Sequence, residues 1–145
     1  MDNEIIVKVA QTPESMEAIL EVRRKVFVLE QNVSEEEEYD EYEHSSTHLF
    51  ASVNNQIVGT CRYRSTSLGV KLERFAVLQD FRSMHVGSAL LSYALEKLDN
   101  RVNIYLHAQI QVVDFYKKFG FTPEGDQFTE ANIQHFKMGY SPTRR

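Results

Sequence analysis

The sequence predicts an α/β domain in which a mixed, mostly antiparallel central sheet is flanked by helices, in the order β-α-β-β-β-α-β-α-β-β. Three observations carry that expectation. Apolar residues alternate through 48–53, Asn54-Asn55 makes a turn, and 57–64 pairs back as a hairpin. Gly87, Leu90, Leu91, Ala94, Leu95 and Leu98 recur at three-and-four spacing, the period of a helix with one apolar stripe. From residue 70 onward helical and strand patterns alternate, so hairpins and helical crossovers must share one sheet.

Residues 5–10 read as a short strand. Thr12-Pro13-Glu14 is a helix start, with threonine as cap and proline in the first turn, opening a helix through about Val28. After an acidic stretch and the hairpin, 70–77 continues the sheet, and the next helix begins between Arg82 and Gly87. A strand over 103–108 leads to a helix on which Val112, Phe115 and Phe119 fall at helical spacing. Gly120 is a left-handed cap for it, and Lys117 and Lys118 occupy its last turn, where cations favour the helix dipole. Phe121 to Tyr140 completes the chain as a strand pair.

A chain of 145 residues, 42% of them hydrophobic, suits one core and a single domain over 1–145. No apolar run approaches the roughly 20 residues that cross a bilayer. The start MDNE lacks the basic region of a signal peptide, so a soluble, cytoplasmic protein with no membrane partner is expected. The single cysteine, Cys61, has no partner for an internal disulfide and reads as a small buried residue. Net charge is −5, yet the segment 35–43 (EEEEYDEYE) carries seven acids, which leaves about +2 on the rest. Such a run is ordinarily a solvated loop or an exposed helical turn. The alternative is an acidic border to an amine-binding entrance, with Tyr39 and Tyr42 offering ring faces to a cation. The acidic balance argues against a nucleic acid partner. The five histidines, His44, His48, His85, His107 and His135, are too scattered for a metal site, so no metal is expected.

The segment 70–88 holds the chemistry. A strand, VKLERFAV, feeds a helix whose first-turn N–H groups lack internal partners and sit at the positive end of its dipole, where phosphate oxygens are natural acceptors. Arg82 adds a fixed charge, and Gly87 and Ser88 keep the backbone open to a bulky anion. Together with LHAQ and FYKKFGF, this segment resembles the acetyl-CoA-binding motif of the GNAT acetyltransferase superfamily, with Arg82, Val86 and Gly87 on motif positions and His85 where a glycine is usual. The resemblance implies a GNAT-like sheet. It also implies cofactor contacts from Phe75, Ala76, Val77, Arg82, Ser83, Met84, His85, Val86, Gly87, Ser88, Gln109 and Phe115, with acetyl-CoA as donor and CoA as product. Tyr116 falls on the position of a tyrosine that protonates the departing thiolate. VRRKVFVLEQ, the acidic stretch, ERFAV and a late His before KM narrow the resemblance to the ElaA-like small bacterial subgroup, over nearly the whole chain. Glucosamine-6-phosphate acetyltransferases share the frame.

Charges at apolar positions supply the remaining candidates. Arg23 falls within the stripe Ile19, Val22, Val26 and Phe27, so it needs either an acid such as Glu30 or a ligand. Glu73 and Arg74 interrupt a core-like strand, with Glu73 read on the face of Phe75 and Val77. Glu73 is the first candidate for general base, and a salt bridge to Arg62 or Arg64 is the structural alternative. Arg23, Arg74 and His107 are candidates for contacting the acceptor, and His107 is a second candidate base. The expected activity is direct acetyl transfer to a primary amine of a small molecule such as an amino sugar, polyamine or peptide amine. The rival is a CoA-sensing module without catalysis. A dinucleotide fold is disfavoured by the missing G-x-G-x-x-G. Edge strands near the carboxyl terminus offer pairing into a homodimer.

Overall fold

A computed structural model describes residues 4–99 and 101–141; residues 1–3 of the MDNE start lie outside them. Among the described residues seven strands form one sheet in the order β1-β2-β3-β4-β5-β7-β6. They are β1 (Ile5–Val9), β2 (Thr47–Val53), β3 (Gln56–Thr66), β4 (Gly69–Val77), β5 (Ile104–Gln109), β6 (Phe121–Glu130) and β7 (Ile133–Tyr140). Only β4 and β5 run parallel, and every other neighbour pair is antiparallel, as the alternation of hairpins and crossovers implies. Asn54 and Asn55 take φ of 51° and 67°, the pair of left-handed residues that a two-residue hairpin turn requires. Ala131 and Asn132 turn the last hairpin with the same hand.

Among the described residues four α-helices join the strands: α1 (Pro13–Arg23), α2 (Glu35–Glu38), α3 (Val86–Lys97) and α4 (Val113–Lys117). Thr12 caps α1 through a reciprocal hydrogen-bond pair with Ser15, with Pro13 at the first position. The helix expected to run to Val28 changes character at Arg24 and continues to Glu30 as a π-helix, whose widened turn carries Val26 inward with Val22 and Ala76. The helix expected to begin between Arg82 and Gly87 does so: α3 starts at Val86, after a 3₁₀ segment over Gln79–Met84. Before α4, Ile110–Val112 is also 3₁₀, and Gly120 follows it with φ of 97°.

The main core lies between the sheet and α3, where Leu49, Val58, Cys61, Leu72, Leu90, Leu91, Ile104, Leu106 and Met138 are sealed from solvent. Helix α3 packs hard on β3 at Gly59: a Cβ there would stand 2.6 Å from Val86 Cγ1 and 3.3 Å from Leu90 Cδ1. Gly59→Ala is therefore expected to lower unfolding stability by about 1–3 kcal/mol in urea titration, because α3 must move to admit a methyl group; a neutral result would show that the contact yields freely.

The β4 strand departs from strict alternation. Arg62 pairs with Glu73 and Thr60 with Ala76, so two residues of β4, Arg74 and Phe75, oppose the single residue Cys61, and Arg74 takes φ of 59°. This bulge corrects the expected face of Glu73. Glu73 points to the α1 side with Arg62 and Ala76, whereas Phe75 and Val77 point to the α3 side, where Phe75 meets the Tyr116 ring at 5.8 Å.

Candidate active site

The parallel pair β4/β5 is short: Val70, Lys71 and Leu72 pair with Ile104, Tyr105 and Leu106, and the strands then part. Beyond that fork the β5-facing edge of 73–77 has no neighbouring strand to bond among the described residues. A cleft of about 1040 Å³ fills the gap and extends to the start of α3 and the face of α4. It is large enough for an extended ligand of cofactor size.

One end of the cleft suits an anion. The first helical bond of α3 runs from Ala89 N–H to His85 O at 3.0 Å, so the amides at 86–88 precede it and have no acceptor within the helix. His85 closes the 3₁₀ segment in the left-handed region, φ 65°, which is the conformation a glycine at this position would supply. A Cβ on Gly87 would meet only Phe115 Cζ, at 3.7 Å, so this part of the wall is low. Arg82, His85 and Lys118 line this end. Arg82 is held by Val77 O at 2.9 Å and Glu30 Oε1 at 2.7 Å. These features fit the pyrophosphate and phosphate groups of CoA, with the open edge of β4 available to an amide-bearing arm.

Tyr116 stands on α4 between the two ends. It is 7% exposed, lines the cleft, and packs edge-on against Phe75, Phe115 and Phe121. Burial raises its pKa, so the phenol stays protonated at neutral pH.

The other end is lined by charges: Glu36, Glu37, Asp40, Lys71, Glu73, Arg74, His107, Glu130 and His135. Behind it runs an ion-pair network that ties the acidic segment to the sheet. Arg62, 1% exposed, forms a fork on Asp40 (2.9 and 2.7 Å) and reaches Glu73 through Nε at 2.7 Å. Arg23, also 1% exposed, forks onto Glu43 (2.8 and 2.7 Å) and meets Glu38 at 3.0 Å. Arg74 lies 2.9 Å from Glu38 and 3.2 Å from Asp40. Fork-to-fork geometry of this kind is the strongest form of ion pair an arginine makes.

Several expectations change here. The acidic segment is no mere solvated run: Glu38 is buried, and Asp40 and Glu43 are partners of interior arginines. Arg23 pairs with Glu38 and Glu43 rather than Glu30, which pairs with Arg82. Being buried and absent from the cleft lining, Arg23 is not brought to an acceptor. The ring faces of Tyr42 and Tyr39 meet internal guanidinium groups, Arg64 at 3.7 Å and Arg23 at 5.8 Å, rather than a ligand cation. Of the residues expected at the cofactor, Met84 and Val86 do not line the cleft; Val86 is buried against Gly59. Phe75, Ala76, Val77, Arg82, Ser83, His85, Gly87, Ser88, Gln109 and Phe115 do, as do Glu73, Arg74, His107 and Tyr116. Sequence reasoning missed Glu130, His135 and Lys118, which also line it.

Glu73 takes the structural alternative. Its carboxylate contacts Arg62, Arg64 (2.8 Å) and Lys71 (3.2 Å). Burial alone would raise its pKa, but the hydrogen bond from Arg64 and the charges of Arg62 and Lys71 outweigh that and hold it below the usual range. The same contest at Asp40, burial against the Arg62 fork, ends with its pKa at about 2. A carboxyl depressed on folding contributes stability that is present above its ordinary pKa of 3.8 and lost as pH falls toward 2. Glu43 and Glu73 act in the same sense; Glu38, raised by burial, acts in the opposite one. Thermal denaturation between pH 5 and 2.5 should show stability falling with acid, with a shallower slope in Asp40→Asn; equal slopes would show that Asp40 titrates as though unfolded.

No helix among the described residues is long and apolar enough to cross a membrane. Comparisons with known proteins agree with the cleft. The family description "Acetyltransferase (GNAT) domain" matches residues 10–142. The uncharacterized N-acetyltransferase YjcF of Bacillus subtilis is 39% identical over 134 residues, 90% of this chain and 95% of YjcF. Protein ElaA of Escherichia coli is 29% identical over 128 residues, 83% of this chain and 84% of ElaA. The crystal structure of Escherichia coli ElaA superposes with a TM-score of 0.83 at 26% identity, covering 97% of this chain and 100% of that one. A GNAT acetyltransferase from Elizabethkingia anophelis with acetyl-CoA bound shares the fold, with a TM-score of 0.65 at 17% identity over 96% of each chain. With a family match that spans nearly all of its residues and a fork between β4 and β5 shaped for a carrier, this chain belongs to the GNAT family of N-acetyltransferases.

Proposed function

We propose that the protein transfers acetyl from acetyl-CoA directly to a primary amine of a small molecule. The observation that carries this reading is one continuous cleft with an anion-suited helix start at one end, a buried, protonated tyrosine in its wall and a carboxylate-rich end opposite. Acetyl-CoA, when bound, supplies a thioester whose carbonyl carbon bonds to the amine nitrogen as the C–S bond breaks. The amides at 86–88 and Arg82 hold phosphate, and the free edge of β4 at Phe75, Ala76 and Val77 orients the arm and offers N–H groups to a developing oxyanion. Tyr116 Oη moves a proton to the leaving sulfur. Direct transfer needs no protein nucleophile, and Cys61 supplies none: it is 1% exposed within the core, and burial raises its thiol pKa.

The acidic end supports an amine, which approaches as a cation; Glu36 and Glu37 are exposed at its rim. A thiol-release assay with acetyl-CoA against polyamines, amino sugars with and without phosphate, amino acids and peptide amino termini tests the reading, beside calorimetric CoA binding. Release with one class establishes the transfer and names the acceptor. CoA binding without release across the whole panel would favour a sensing module, and absence of binding would overturn the cofactor site itself.

A further inference from the structure

We propose that His107 is the catalytic residue that takes the proton from the acceptor amine, with Glu130 as its positioning residue. The inference rests on the acetyltransfer reading above and deepens it.

Position comes first. Leu106 makes the last β5 pairing with β4, and His107 is the next residue, at the apex of the fork and in the lining of the cleft's charged end. Its side chain is 24% exposed, and it is held by ring contacts, Phe128 edge-on at 5.0 Å and Tyr105 at 6.0 Å. The titratable groups on the same face around it are Tyr105 from β5, Glu124 and Glu130 from β6, with Glu124 paired to Lys137 at 3.5 Å, His135 and Lys137 from β7, and Lys71 and Glu73 from β4.

Hydrogen bonding then selects the nitrogen. His107 Nδ1 lies 3.5 Å from Glu130 Oε2. An ionised carboxylate only accepts, so Nδ1 carries the hydrogen and Nε2 keeps its lone pair. Glu130 is ionised throughout the working range: the hydrogen bond from His107, set against burial, holds its pKa at about 2. The neighbouring His135 shares Glu130, with Nε2 3.8 Å from its other oxygen, but its Nδ1 lies 2.7 Å from the Ile133 carbonyl, its ring stacks on Phe128 and it is only 7% exposed. Glu73, the other candidate, is already engaged by Arg62, Arg64 and Lys71. His107 Nε2 is thus a free basic atom at the fork.

The proton inventory closes. An ammonium nitrogen sheds two protons as it becomes an amide: one passes to His107 Nε2 before attack and then to solvent, and the other leaves the nitrogen as the C–S bond breaks and passes through water to the Tyr116 phenolate, replacing the proton that Tyr116 gives to sulfur.

Two measurements test the assignment. In the ligand-free protein, long-range ¹H–¹⁵N spectra at pH 8 should report His107 in the Nδ1–H tautomer, and Glu130→Gln should convert it mainly to Nε2–H. Finding Nε2–H in the wild type would overturn the orienting role of Glu130 whether or not the enzyme turns over. In the thiol-release assay, kcat/KM should rise with pH along an acid limb. His107→Gln should remove that limb and lower kcat/KM on the order of 10²-fold with CoA binding retained, and Glu130→Gln should cost less. A limb that survives His107→Gln with unchanged rate would overturn the base, leaving transfer itself intact. A wild type that turns over no amine would overturn the transfer reading, and with it the role of His107 as base.

Discussion

Tyr116→Phe is expected to lower kcat on the order of 10²-fold while CoA affinity, measured by calorimetry, stays within a few-fold of wild type. The substitution removes one oxygen and keeps the ring that packs against Phe75, Phe115 and Phe121, so the fold and the cleft wall survive. What is lost is a phenolic proton kept in place by burial. Because burial also raises the pKa of Tyr116, the acid should remain competent well into alkaline pH, and the wild-type pH profile should show no falling limb near the ordinary tyrosine value of about 10. Unchanged turnover in the phenylalanine variant would remove Tyr116 from the chemistry and leave the sulfur to be protonated by solvent.

The largest effect on stability should come from Arg62→Ala. Arg62 is 1% exposed and lies between Asp40 and Glu73, so truncation leaves two carboxylates facing each other without their shared cation. Breaking a buried pair from one side costs about 3–5 kcal/mol, which for a domain of this size corresponds to roughly 10–15 °C in melting temperature by calorimetry. Arg62→Lys should recover little of it, since an ammonium cannot form the fork on Asp40 and reach Glu73 as well. A loss under about 1 kcal/mol would mean that water already screens the network.

The contrast between what was legible in the sequence and what was not follows from range. Asn54-Asn55, the Thr12-Pro13 start and Gly120 are local signals, in which the residue itself supplies the φ, the cap or the missing donor that the backbone needs, and each stands where expected. The anion-suited helix start was readable for the same reason. The ion pairs were not: Arg62 meets Asp40 across 22 positions and Arg23 meets Glu43 across 20, and no periodicity distinguishes a carboxylate that will be buried from its exposed neighbour in EEEEYDEYE. Glu130 and His135 escaped because the register between β5, β7 and β6 alone brings them to His107. The π-helical stretch after Arg23 and the β4 bulge are tertiary compromises, in which burying Val26 and aiming Arg74 at Glu38 and Asp40 override the ideal repeat.

The bulge at Arg74 also bears on how this strand tolerates insertion and deletion. By spending two residues opposite Cys61, β4 directs Glu73 and Arg74 to the acidic side and Phe75 and Val77 to the tyrosine side. Removing residue 74 would restore unbroken alternation and leave Glu73 and Ala76, and Phe75 and Val77, on the faces they now occupy. A relative one residue shorter at this point should therefore keep both walls of the cleft and lose the tie that Arg74 makes from this strand to Glu38 and Asp40.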